Sequence, residues 1–151
     1  MFVVYTTVVE AGIAEVEEAI RSLRSEMGWW ADLAYREGEQ LRARVGPTDG
    51  IARKVALEIG SPEIQGRGLV YPLRWTAQSA SILFPEMDAD LVLESTGLNR
   101  TAVTLRGSYQ PPLGPLGRLA DRAGLRKVAE MTVANWVDRL AEALSRQVRP
   151  V

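Results

Sequence analysis

The 151-residue sequence contains neither cysteine nor histidine. Without cysteine there is no disulfide, and without either residue there is no metal site built on thiolate or imidazole. The commonest general base near neutral pH is missing as well, so a Ser-His or Cys-His nucleophile is excluded. Any catalysis would fall to carboxylates, Tyr, Lys, Arg or water. Charge of one sign is also lacking: 18 Lys and Arg face 19 Asp and Glu, a net charge of −1. No chain-wide field therefore favours nucleic acid or an anionic membrane. No window approaches the roughly 20 apolar residues that a membrane-spanning helix needs. The apolar start Met1-Phe2-Val3-Val4-Tyr5 has no basic region before it, and an acidic segment follows. A soluble, cytoplasmic protein is expected.

What is present suits one domain over 1–151. Hydrophobic residues make up 46% and charged residues 25%, a balance that allows a real core. Residues 2–9 are β-branched and aromatic, which predicts a strand. Ile13, Val16, Ile20 and Leu23 recur at helical spacing over 13–24, with Glu15, Glu17 and Glu18 early, where carboxylates suit the helix dipole. A second short helix is predicted over 27–35 with Trp29, Trp30 and Leu33 on its apolar side. Alternation predicts strands over 40–45 and 53–59, joined by the turn cluster 46–50. Gly60-Ser61-Pro62 breaks the chain. Leu69, Tyr71, Leu73 and Trp75 share one face of the next strand, in which Pro72 predicts an edge position, a bulge or a bend. Leu91 and Leu93 begin another strand, after a turn. Val103, Leu105, Gly107 and Tyr109 share a face of the last one. A stiff Pro-Gly connector over 110–117 leads to a helix over 125–147. There Leu125, Val128, Ala129, Thr132, Val133, Trp136, Val137, Leu140 and Leu144 form a broad apolar stripe.

Hairpin connections favour an antiparallel sheet, and a sheet with one apolar face must cover it. The final helix is the available cover. It is about 10 Å wide, so large side chains or a cavity must occupy the remaining space. The fold class expected is α+β.

This element order resembles that of the SRPBCC superfamily, the START/Bet v 1-like helix-grip proteins that include polyketide cyclase/dehydrase-like and lipid-transfer members. The more specific likeness, to bacterial members, lies in Leu83-Phe84-Pro85-Glu86-Met87-Asp88-Ala89-Asp90-Leu91, in Thr101-Ala102-Val103-Thr104-Leu105-Arg106-Gly107-Ser108-Tyr109, and in Pro111-Pro112-Leu113-Gly114-Pro115-Leu116-Gly117 leading through Asp121-Arg122 into the long helix. The resemblance implies a curved antiparallel sheet wrapped around a C-terminal helix, and a hydrophobic small molecule or lipid held between them. Alternatives carried by the same resemblance are a polyketide cyclase/aromatase-like enzyme and a chaperone-cofactor-like interaction module. It supplies no catalytic motif, so no catalytic residue, metal or cofactor is assigned.

The cavity lining expected is Leu69, Tyr71, Leu73 and Trp75, with Leu91, Leu93, Val103, Leu105 and Tyr109 from the later strands, and Val128, Thr132 and Trp136 from the helix. Tyr, Trp and Thr could orient a ligand through their polar atoms. The plainer reading is core filling, with Thr132 bonding the backbone four residues earlier. Asp88 and Asp90 are a conceivable metal pair and, more simply, turn formers. Arg42, Arg44, Arg53 and Lys54 form the densest basic region, without the aromatic interleaving of a nucleic-acid surface. The expected partner is the ligand, with no nucleic acid and no stable membrane insertion, for a monomer or a homodimer.

Overall fold

The computed structural model describes residues 2–24, 55–77, 86–110 and 122–148. The second short helix, the strand over 40–45 with its turn, the Trp29-Trp30 pair and the Pro-Gly connector lie outside the described residues.

The chain runs β1 (Phe2–Val9), α1 (Ile13–Leu23), β2 (Val55–Ile59), β3 (Glu63–Gln65), β4 (Gly68–Ala77), β5 (Glu86–Gly97), β6 (Arg100–Gln110) and α2 (Arg122–Val148). Every described strand pair is antiparallel, and the order across the sheet is β1-β6-β5-β4-β2, with β3 also on β4. This is an α+β sheet with a long C-terminal helix, the helix-grip arrangement. At 1.5 Å per residue the 27 residues of α2 extend about 40 Å.

Side chains alternate between two faces because the strand period is two. The inner face carries Val3, Val9, Tyr71, Leu73, Trp75, Met87, Leu91, Leu93, Val103 and Leu105, all buried. Against it lie Ala129, Thr132, Val133, Trp136, Val137, Leu140 and Leu144 of α2, and Val16, Ala19, Ile20 and Leu23 of α1, also buried. The helical stripe predicted for α2 is thus the buried stripe wherever its side chains are described. Each fully buried Leu or Val adds roughly 1.5–3 kcal/mol of apolar transfer free energy.

Two local features stand out in the sheet. Gly107 faces inward beside Ala89, and a Cβ there would stand 2.3 Å from the Asp88 carbonyl oxygen and 2.5 Å from Ala89 Cα. Only a residue without a side chain allows β5 and β6 to close so tightly. The second feature is at Pro72. The edge expected there is not found, since β4 is an interior strand paired with β5 on one side and with β2 and β3 on the other. The irregularity is in the partner instead. Ile59 pairs with Leu73 and Glu63 with Val70, so three residues, 60–62, stand opposite two. Gly60 N–H donates to Pro72 O at 2.7 Å, but proline has no N–H to return the bond. Arg24 fills the gap: its guanidinium donates to Gly60 O at 2.8 Å and so ties the C-terminal end of α1 to the sheet.

The β1–α1 junction is fixed in a similar way. Thr101, fully buried, donates its hydroxyl to Ala11 O at 2.7 Å, and Arg100 pairs with Glu10 at 3.0 Å.

Candidate functional site

The register assembles the expected lining into adjacent rows that cross the strands. Leu69 stands opposite Leu93, and Leu93 opposite Val103. Tyr71, Leu91 and Leu105 form the next row, continued by Tyr5 of β1. Leu73, Ala89, Gly107 and Val3 form a third, with small residues at its centre. Trp75, Met87 and Tyr109 form a fourth. Of the twelve residues expected to line a cavity, Tyr71, Leu73, Trp75, Leu91, Leu93, Val103, Leu105, Thr132 and Trp136 are buried, and Leu69 packs partly buried against them. The side chains of Tyr109 and Val128 lie outside the described residues.

The helix is seated asymmetrically over these rows. Among the described residues α2 packs most extensively along β1, then along α1 and β6. Towards β4 the cover comes from side chains: the rings of Trp75 and Trp136 meet with centroids 6.5 Å apart and planes tilted by 56°. Tilted aromatic pairs at such separations are favourable. Both indoles are fully buried. Thr132 lies one turn before Trp136 and is the only polar residue of α2 among the fully buried ones described.

At the other end of the β4 face, Tyr71 lies below α1. A small crevice of about 70 Å³ opens there, lined by Glu17, Ile20, Arg21, Arg24, Pro62 and Tyr71. Burial raises the Tyr71 phenol above its ordinary pKa and Glu17 raises it further, while Arg24 and Arg21 oppose both. The phenol therefore keeps its proton as a donor.

Outside the sheet the rows read differently. Glu58, Arg74, Asp88, Ser108 and Phe2 stand in register across β2, β4, β5, β6 and β1, and Arg74 donates to Asp88 at 3.0 Å. The turn expected at Asp88 and Asp90 is therefore replaced by the start of β5, with both carboxylates on the outer face. An open groove of about 890 Å³ crosses this face, lined by Arg74 with Asp88, by Glu58, Asp90 and Arg106, and by apolar residues such as Phe2 and Pro72. Among the described residues no group of three or more acids could hold a metal ion, and no helix is long and apolar enough to cross a membrane.

Reading β5 from Leu91 missed Met87 and Ala89, although both continue the same alternation two and four residues earlier. Tyr5 was missed as an inner-face residue because the apolar run 2–9 hides its own period. The roles of Arg21 and Arg24 beside Tyr71 carry no sequence signal, because Tyr71 is about fifty residues away along the chain.

No family model matches the chain, and no curated protein matches it. Similar solved structures include a hypothetical protein from Helicobacter pylori (15% identity, 94% of this chain and 86% of that one, TM-score 0.48). They also include a Thermus thermophilus protein (14% identity, 95% and 97%, TM-score 0.46). A third is the Zhui aromatase/cyclase from Streptomyces (15% identity, 98% and 90%, TM-score 0.37). None is close enough to lend its activity to this chain.

Proposed function

We propose that this chain is a START/Bet v 1-like binder of a hydrophobic small molecule or lipid, held between the inner face of β4 and β5 and the side of α2 that carries Thr132 and Trp136. The asymmetric seat of the helix carries this reading. Where α2 lies against β1, Ala141 is buried beside Thr7 and Val8. Among the described residues the contact between α2 and β4 includes two large aromatic rings. Rings can turn aside for an apolar guest, while a helix backbone cannot. Burial at about 25 cal/mol per Å² would supply affinity, and the tyrosine, indole and threonine groups would orient the guest.

Dodecanol, with thermal unfolding and native mass spectrometry as readouts, tests the reading. At 100 times its dissociation constant a ligand contributes about 2.7 kcal/mol, which corresponds to a rise of roughly 5–10 °C in Tm for a domain of this size. Saturable binding at one-to-one stoichiometry is expected. If the bare protein is the only species seen and the melting temperature does not move, the reading fails.

One further observation favours a protein-interaction role beside this one. The outer face of β1 exposes Phe2, Val4 and Val8, at 60%, 56% and 47%, on a strand that ends the described sheet. Exposed apolar side chains on an edge strand are a standing invitation to another chain. Concentration-dependent association in sedimentation would support it.

A further inference from the structure

The crevice beside Tyr71 has two properties that do not usually occur together. Its floor belongs to the hydrophobic core, since Tyr71 and Ile20 are both buried members of the inner cluster. Its rim is cationic, since Arg21 and Arg24 stand over it on α1. Arg24 is held in place through its bond to Gly60 O, which spends one of its five N–H donors. Arg21 reaches Glu18 at 3.1 Å and Glu17 at 3.7 Å, and all three side chains remain solvated. Two guanidiniums and the carboxylate of Glu17 line the crevice, with Glu18 holding Arg21 from outside it; Arg24 is bonded to a neutral carbonyl and brings its charge to the crevice.

We propose that this crevice seats the carboxylate of an amphipathic ligand whose apolar tail runs inward past Tyr71, so that the ligand class is the long-chain carboxylic acids. The inference rests on the interior-binding reading above and adds a headgroup to it. A space of about 70 Å³ admits a small headgroup and not a chain. A guanidinium matches a carboxylate with two parallel N–H donors, and such charge-assisted bonds are about twice as strong as neutral ones. Tyr71 points from β4 into the same space with a phenol that retains its proton, so it can donate a third bond. Tail and head would thus be read by different physics at two ends of one strand: Trp75 at the apolar end and Tyr71 at the polar end.

The test compares dodecanoate with dodecanol, equal in tail and different in head, by calorimetric titration at low salt. The wild-type protein is expected to bind dodecanoate about tenfold more tightly, the gain of one charge-assisted pair over a neutral contact. In the Arg21→Gln/Arg24→Gln double variant the preference should fall to about one, through loss of dodecanoate affinity. Arg126→Gln, an exposed charge on α2, should leave the preference intact. Equal affinities in the wild-type protein, or an undiminished preference in the double variant, overturn the headgroup assignment while the interior-binding reading stands. Binding of neither compound overturns both.

Discussion

The two halves of the sheet are covered by different means. Over β1 the cover is α2, with Ala141 buried beside Thr7 and Val8 and Asp138 bonded to Tyr5, and the β1–α1 junction is pinned by the Thr101 bond to Ala11. Over β4, among the described residues, the cover includes the long side chains of Trp75 and Trp136, with Tyr71 reaching under α1. Under the proposed function, an apolar guest would compete with these aromatic rings on the β4 side and leave the β1 side unchanged.

Substitutions on the two sides should separate these roles. Trp75→Ala on the β4 side is expected to cost about 3–5 kcal/mol and Val9→Ala on β1 about 1.5–3 kcal/mol, both measured by urea unfolding. Their ligand responses should differ. Trp75→Ala should change the dodecanol-induced rise in melting temperature, and Val9→Ala should keep it. An identical change in both variants would count against the proposed binding region.

Thr101→Val addresses the pinned junction. It leaves Ala11 O without its buried donor and should cost about 1–3 kcal/mol, with no effect on ligand binding. Hydrogen exchange at the start of α1 should rise in parallel; unchanged protection there would mean that Thr101 does not hold the junction.

Tyr5→Phe is expected to have the smallest effect. Tyr5 donates to Asp138 at 2.6 Å on the β1 side, in a solvent-exposed setting, so a loss of about 0.5–1 kcal/mol is expected. The bond to Asp138 raises the phenol pKa above 10.0, with burial and the Asp138 charge adding to it. Because the folded value lies above the unfolded one, this contribution is fully present below pH 10 and is lost as the pH rises through the folded value. The stability difference between wild type and Tyr5→Phe should therefore close in alkaline solution and stay constant between pH 6 and 9. A difference that grows with alkalinity would assign the wrong sign.

The fold was legible wherever one residue type repeats with a clear period. Val128 to Leu144 announces a helix buried on one side, and Leu69 to Trp75 announces a strand face. The α+β class and the position of the long helix follow from those two patterns. Less legible were contacts made by residues distant in the chain. Asp88 and Asp90 resemble turn formers until Arg74 is placed opposite Asp88. Pro72 resembles an edge marker until its partner strand is seen to break. Arg24 looks like the last residue of a helix until its guanidinium is found on Gly60. Each case depends on register, and register is set by which strands become neighbours.

The proline in β4 has a consequence for how this chain can vary. Its ring occupies the place of a hydrogen-bond donor, and the Gly60 oxygen left over is what anchors Arg24. Gly60 in turn leaves room for that ring, since a Cβ there would sit 3.3 Å from it. The three positions therefore form one physical unit. A residue with an N–H at position 72 would share the Gly60 oxygen with the arginine and weaken its hold, even though the two side chains never need to touch.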